Sequence, residues 1–432
     1  MDIQSDIIGI ATDENTYLMS NGVKKESHMS WIMAAGLIVN AAMGAGLLNI
    51  AKAYDDAGGI AVSSILHAIV VLLVIGAYAI LFVCCDKSIA SYEAFVLVKC
   101  GKFWQRVCSV CIILYMYGLS ITFFIIIGDQ LDRFLTFVVG EHYCSHWYLD
   151  RRFMIIVTSM VLVFPLCFSK TIKFLQIPSM LGVLAIIYVV IMVPVEYFVH
   201  PPKDVIIKKG PDSWTDIFLV LPTMCFSYQA HVNAVPVFVS LKTRAECVKA
   251  TLASTIVLIC SYCLVAICGY LTFGITIDHD ILMSYDPKLL PVLIAVIMVA
   301  IKTYTAYPVN LFCGRIAIDS FTTSNKESSI KRRVIIVCLW FFSTLVGAVF
   351  LPNISLAIHY LGALAASFIF IFPGLCLYFH IEEQWIYSWH NVLSISIAIF
   401  YVAVGVFITL LTFVQSLMTD IGSKASTNKN IC

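Results

Sequence analysis

Apolar runs long enough to cross a bilayer recur along almost the whole chain. They fall at roughly 32–53, 61–83, 104–128, 153–168, 177–199, 215–239, 250–273, 290–313, 334–351, 356–379 and 391–415. About 20 apolar residues span the hydrocarbon layer as a helix. Lipid offers no partner to backbone N–H and C=O groups, so each segment must pair its own. The chain is therefore expected to fold as an all-α polytopic membrane protein with eleven transmembrane helices. Composition agrees: 60% of the 432 residues are hydrophobic and 12% charged, whereas a soluble domain carries about 25% charged residues. The mean hydropathy is +0.93. A net charge of +1 offers no footprint for nucleic acid.

The first 30 residues hold Asp2, Asp6, Asp13, Glu14 and Glu26 and lack the form of a cleaved secretory signal. The first helix is expected to start insertion itself. Lys and Arg are more numerous in the loops that share a side with Lys24, Lys25, Lys242, Lys331, Arg332 and Arg333. That bias places residues 1–31 in the cytoplasm. After eleven crossings the tail 416–432 lies outside the cell or in a lumen. Most of the 16 cysteines sit within apolar runs, where they serve as small hydrophobes, and no structural disulfide is expected.

Helix starts near 32, 61 and 104 are matched by starts near 215, 250 and 290, an offset of about 185 residues. Five helices per unit is an odd number, so the second unit must lie inverted, a plan used by one large class of secondary transporters. Repeat 1 then covers about 32–199, repeat 2 about 215–379, and 391–415 is an extra helix.

That class interrupts one helix in each repeat at corresponding places and binds substrate and ions at the freed backbone groups. The first run holds Asn40, Gly44, Ala45, Gly46 and Asn49, residues ill suited to an unbroken helix in lipid. Its counterpart reads LPTMCFSYQAHVNAVPVF from Leu221 to Phe238. There Pro222 and Pro236 are expected to break backbone pairing, and Ser227, Gln229, His231 and Asn233 give it unusual polarity. Freed N–H groups at a half-helix start suit a carboxylate, and freed C=O groups suit a hard cation such as sodium. In the eighth run Pro308 is expected to kink the helix, with Thr303, Thr305 and Asn310 as polar oxygens. Thr305 can complete a sodium site or bond back to its own helix carbonyl.

Six stretches carry a resemblance: VNAAMGAGLLNIAKAYDDAGG, FFIIIGDQLDRF, PTMCFSYQAHVNAVPVF, GYLTFGITIDHDILMSY, YPVNLFCGR and AASFIFIFPGLCL. They resemble the sodium-coupled neutral amino acid transporters of the amino acid/auxin permease group, most of all the branch with the lysosomal glutamine transporter. The resemblance runs from about residue 30 to 415. It implies a LeuT-like 5+5 inverted repeat plus one helix. It further implies sodium coupling at Asn40 and Thr305, a substrate carboxylate around Gly44 and Gly46, and a substrate side chain near Gln229 and His231.

Lys302 departs from that pattern, one helical turn before Thr305 and about 20 Å along the helix from Arg315. An ionisable residue at such depth points to function. Its ammonium can take the place of sodium, or it can titrate and couple protons.

His142–His146 has ligand types at metal-like spacing, but a solvated loop is the simpler account. Cys108 and Cys111 are expected to pack within a helix. Asn353 fits the glycosylation pattern but hugs the membrane. No catalytic constellation is found, so no enzyme is expected.

The sequence thus predicts a secondary transporter of small neutral amino acids, glutamine and asparagine foremost, coupled to sodium or protons. No cofactor is expected beyond a co-transported sodium ion. Its expected partners are the amino acid and membrane lipid, with no obligate protein partner. It would sit in the lysosomal or the plasma membrane. The alternative, a membrane sensor that binds an amino acid and signals through its tails, is weakened by the short N-terminal tail.

Overall fold

The computed structural model describes residues 29–84, 89, 91–140, 147–168, 173–202, 204–322, 330–350, 354–382 and 389–423. Both tails beyond these bounds, His142–His146 and Asn353 lie outside the described residues. Among those described, the elements are helices and no strand occurs.

The first apolar run is two helices, α1 (Trp31–Ala42) and α2 (Ala45–Asp56), bent by 58°. Helices α3 (Ile60–Cys84) and α4 (Tyr92–Val139) follow. α4 is interrupted at Gly101, whose φ of 82° only glycine adopts cheaply. The fourth run is α5 (Arg151–Thr158), a π turn (Ser159–Val163) and a 3-10 turn (Phe164–Phe168). The fifth is α6 (Lys173–Val199). The sixth is α7 (Val220–Ser227) and α8 (His231–Val239). Then come α9 (Arg244–Phe273), the short α10 (Ile281–Ser284), α11 (Leu290–Thr322) and α12 (Ile330–Phe350). The tenth run is α13 (Ile354–Ala366), a π turn (Ser367–Ile371) and α14 (Phe372–Glu382), and α15 (Trp389–Ser423) closes the order.

Among the described residues nine segments are long and apolar enough to cross a membrane, and the bent pair α1–α2 makes a tenth. The pair α7–α8, entered through the 3-10 turn Asp216–Leu219, is consistent with the eleventh. Both π turns stand just before a proline, Pro165 and Pro373, where the missing N–H disrupts the regular ladder.

Side-chain periodicity sorts lipid from core. On α3 Ile65, Ile69 and Leu72 are exposed, whereas His67, Val70, Val74 and Tyr78 are buried, as two stripes of one 3.6-residue helix require. In an apolar 18-residue stretch of Ala357–Glu382, 78% of the residues are buried, against only 28% in one of Trp389–Gln415. The tenth segment is therefore central and the last lies against the outside of the bundle, as an added helix should.

The Met29 amide donates to Ser240 O at 3.2 Å. The first segment thus starts on the face where the sixth ends, and the two interrupted segments run in opposite directions. This is the inverted, LeuT-like arrangement. The reading of Pro222 and Pro236 as helix breakers needs correction. Both lie inside helices, and the interruption falls between them at Tyr228–Ala230. Pro222 sits in the first turn of α7, where the lost N–H has no partner to lose. α11 likewise holds a proline, Pro308, inside it.

Candidate functional site

Helix starts differ according to where they lie. Away from the interruptions the chain caps several of them with side chains. Ser30 accepts from Ile32 N, Ser91 from Ala94 N and Asp150 from Arg152 N, while Thr243 and Glu246 form a reciprocal capping box on α9. At the two interruptions no side chain caps α2 or α8. Their first N–H groups are therefore available to a ligand, and an anion is what such a terminus favours.

The glycines of the first interruption have separate tasks. Gly44 lies in the break itself, and a Cβ built there would meet nothing within 4 Å, so open space adjoins it. Ala45 and Gly46 already belong to α2 and are buried. A Cβ on Gly46 would run into the Ser227 hydroxyl and lie 3.1 Å from the Ser227 Cα. Glycine is needed there to let α2 touch the end of α7.

Tyr262 of α9 joins the two interruptions. Its hydroxyl is shared between Ser227 O at 2.8 Å and Ala42 O at 3.1 Å, both carbonyls at helix ends. His67 of α3 makes a second link. Its Nδ1 shares a hydrogen bond with the Tyr54 hydroxyl of α2 at 2.8 Å. Its Nε2 shares one with the Tyr228 hydroxyl, in the second interruption, at 2.7 Å. A third link is Thr223, whose hydroxyl donates to Asn49 Oδ1 at 3.1 Å. Asn49 in turn donates to His279 O at 2.8 Å, which holds the loop before α10 against α2.

Lys302 reaches the first interruption from α11. Its Nζ donates to Met43 O at 2.5 Å. Its stem passes Gly182 of α6, where an added Cβ would come within 2.9 Å of Lys302 Cγ. Thr305, one turn on, donates to Ile301 O at 3.0 Å and Lys302 O at 2.9 Å. Asn40 is half-exposed in the last turns of α1.

Of the other residues singled out in the sequence, Gln229 is buried in the second interruption, and its Nε2 has no hydrogen-bond partner among the described residues. Leaving such a donor unpaired costs about 1–3 kcal/mol, which a bound acceptor would recover. His231 is fully buried and stacks on Tyr78 of α3, ring centroids 4.1 Å apart. Asn310 is not brought to the interruptions. Its amide nitrogen donates to Met116 O at 2.7 Å and Ser120 Oγ at 2.8 Å, where Trp340 Nε1 also donates. Cys108 and Cys111 lie within α4.

His67, Tyr54, Tyr228, Tyr262, Asn49 and Thr223 escaped the sequence reading as site residues. His67 carried a usable signal, since it is an ionisable residue within an apolar run, as Lys302 is. Tyr262 carried none, because a tyrosine is unremarked in an apolar helix until its hydroxyl has a partner.

On the face opposite Met29, a polar layer covers the interruptions. Arg151 pairs with Asp129 at 2.7 Å and Asp132 at 3.2 Å, and Lys52 with Asp55 at 2.8 Å and Asp56 at 3.2 Å. Asp280 caps α10 through Leu282 N at 2.9 Å and accepts from Gln130 Nε2 at 2.8 Å. Burial, and then the Asp129 carboxylate, push the Asp280 carboxyl up to about 7.

Comparison with known proteins gives a consistent result. Residues 27–418 match the family described as transmembrane amino acid transporter protein. A Danio rerio protein, sodium-coupled neutral amino acid transporter 7, is 38% identical over 90% of this chain and 87% of its own length. The Homo sapiens protein of that name is 34% identical over 91% and 88%. Solute carrier family 38 member 8 of Homo sapiens is 30% identical over 83% and 88%. Among solved structures, MhsT in complex with L-phenylalanine superposes with a TM-score of 0.51 at 14% identity, covering 88% of this chain and 98% of MhsT. That likeness concerns the fold.

Proposed function

The chain belongs to the transmembrane amino acid transporter family, and from that premise we propose that this integral membrane transporter, which is not an enzyme, carries glutamine and asparagine. The observation that carries the reading is the pair of uncapped helix interruptions, with Gln229 offering an unpartnered amide nitrogen at one of them. The substrate carboxylate would rest on the first N–H groups of α2, beside the open space at Gly44, with Ala45 and Gly46 as backbone donors. The amino group would take carbonyls freed at the interruptions, next to Ser227. The side-chain amide would accept from Gln229, with His231 as part of the wall. Asn310 is left out of this reading because its amide is already engaged by α4.

Alternating access would come from rocking one helix set against the other about the interruptions. The relatives are named sodium-coupled, and the cation's place would be the freed carbonyls of the first interruption, near Asn40 and Thr305. The distribution of Lys and Arg supports a cytoplasmic N-terminus, and the resemblance supports a lysosomal membrane. A fluorescently tagged chain that stays at the cell surface would count against that location.

The test is uptake of radiolabelled glutamine into proteoliposomes, competed by asparagine and by leucine. Asparagine is expected to compete and leucine is not. Gln229→Leu is expected to lower glutamine uptake by about 5- to 150-fold, the value of one buried hydrogen bond or two, and to narrow the gap between glutamine and leucine. Equal competition by leucine in the wild type would refute the amide assignment.

A further inference from the structure

A cation's place in a LeuT-like interruption is made of backbone carbonyls that a helix has released. Here one such carbonyl is already taken. Met43 O, at the end of α1, accepts from the Lys302 ammonium at 2.5 Å. The arrangement is built rather than incidental, because Gly182 of α6 leaves the room through which the lysine stem passes. Any side chain at 182 would displace it.

We propose that Lys302 is this transporter's resident cation, so that transport needs no sodium and is tied instead to the proton carried by Lys302. The inference rests on the reading of the first interruption as the ion's place. Its chemistry is a single proton transfer. One N–H bond of the ammonium breaks, the electron pair stays on Nζ, and the proton leaves to water on one side. The neutral amine then recovers a proton from water on the other. The residue keeps an intermediate exposure, as a group that exchanges protons with water requires.

Among the described residues no other charged group pairs with the ammonium. The interruption offers it a carbonyl and α6 offers it glycine. Of the carboxylates of α4, Asp129 and Asp132 are engaged by Arg151, and Glu93 lies in its first turn. On α11 itself the nearest titratable group in sequence is Tyr304. A sodium ion about 4 Å from the ammonium would be repelled strongly enough to weaken its binding by about a thousandfold. The two cations therefore exclude each other. In α11 the Thr305 hydroxyl, the other expected ligand, bonds back to Ile301 O and Lys302 O, which costs nothing if no ion is to be held.

The experiment uses the full chain in two formats. In proteoliposomes, glutamine uptake is measured with sodium, with choline and with an inward proton gradient. Replacing sodium by choline is expected to change wild-type uptake by less than about twofold, and the proton gradient to raise it about fivefold or more. Lys302→Ser is expected to gain a sodium stimulation of about fivefold or more. Wild-type uptake that drops about fivefold in choline overturns the proposal.

The second format needs neither the right substrate nor transport. Thermal unfolding of the detergent-purified protein is followed while sodium replaces choline at constant ionic strength. Sodium is expected to leave the wild-type midpoint in place and to raise that of Lys302→Ser. A saturable sodium shift in the wild type overturns the proposal even if Lys302→Ser fails to fold. Absence of glutamine uptake under every gradient would refute the substrate reading alone, and the thermal measurement would still decide the role of Lys302.

Discussion

The two interrupted segments reach one geometry by different means. The first is broken at Met43–Gly44, in a stretch with two glycines, and bends by 58°. The second is broken at Tyr228–Ala230 with no glycine at all, and its two prolines stay inside helices. What they share is the supply of partners. Ala42 O and Ser227 O divide one Tyr262 hydroxyl, Met43 O holds Lys302, and Tyr228 holds His67. A helix can stop within a membrane where neighbouring helices pair the groups it releases. Its own weak helix formers make the stop cheaper but do not place it.

The contact between the two segments gives the most severe way to break this comparison. Gly46→Ala sets a methyl against the Ser227 hydroxyl and close to its backbone. Overpacking of this kind costs about 1–3 kcal/mol, so the detergent unfolding midpoint is expected to drop and uptake to fall with it. Ser227→Gly in the same chain should restore much of it. No recovery in the double variant would show that Gly46 serves the backbone of α2 rather than the contact.

Next in size is Tyr262→Phe, which strips both interruptions of a donor at once. A loss of about 1–3 kcal/mol is expected in detergent unfolding. His67→Phe removes the acceptor and donor shared by Tyr54 and Tyr228 without touching Ala42 or Ser227. If Tyr262→Phe proves silent, the carbonyls at the two breaks do not depend on their common hydroxyl.

A last effect, read as a pH profile, concerns the cover over the first segment. Asp280 has its carboxyl pushed up to about 7 by burial and by Asp129. The folded state therefore binds this proton more tightly than the unfolded chain does. The stability it confers is full below about pH 4 and is lost as pH rises to about 7. The unfolding midpoint of the wild type should fall over that window relative to Asp280→Asn, which holds an uncharged amide at all pH. Parallel profiles for the two proteins would mean that Asp280 does not titrate in this range.

Much of the architecture was written in hydropathy. Spans and the inverted order of the two segments follow from where apolar runs start and stop, because lipid dictates the length of a spanning helix; the peripheral place of the last helix does not. The site was legible only in part. Gly44 and Lys302 stand out by type alone, as residues a lipid-spanning helix does not welcome. The exact stop of the sixth segment did not show, because Pro222 is harmless in a first turn and Tyr228-Gln229-Ala230 carries no breaker. Asn310 was legible as a polar group, but not that Met116 and Ser120, on a distant part of the chain, hold its amide nitrogen.

The reach from Lys302 to Met43 also bears on biogenesis. The two residues are 259 positions apart, so the eighth segment is synthesised long after the first has entered the bilayer. A lysine in the middle of an inserting helix costs about 2.5–3.5 kcal/mol. The helix that carries it gains a waiting partner only where the first segment presents its released carbonyl. A first segment that stops at Met43 thus supplies the partner that an unbroken one would withhold from the lysine.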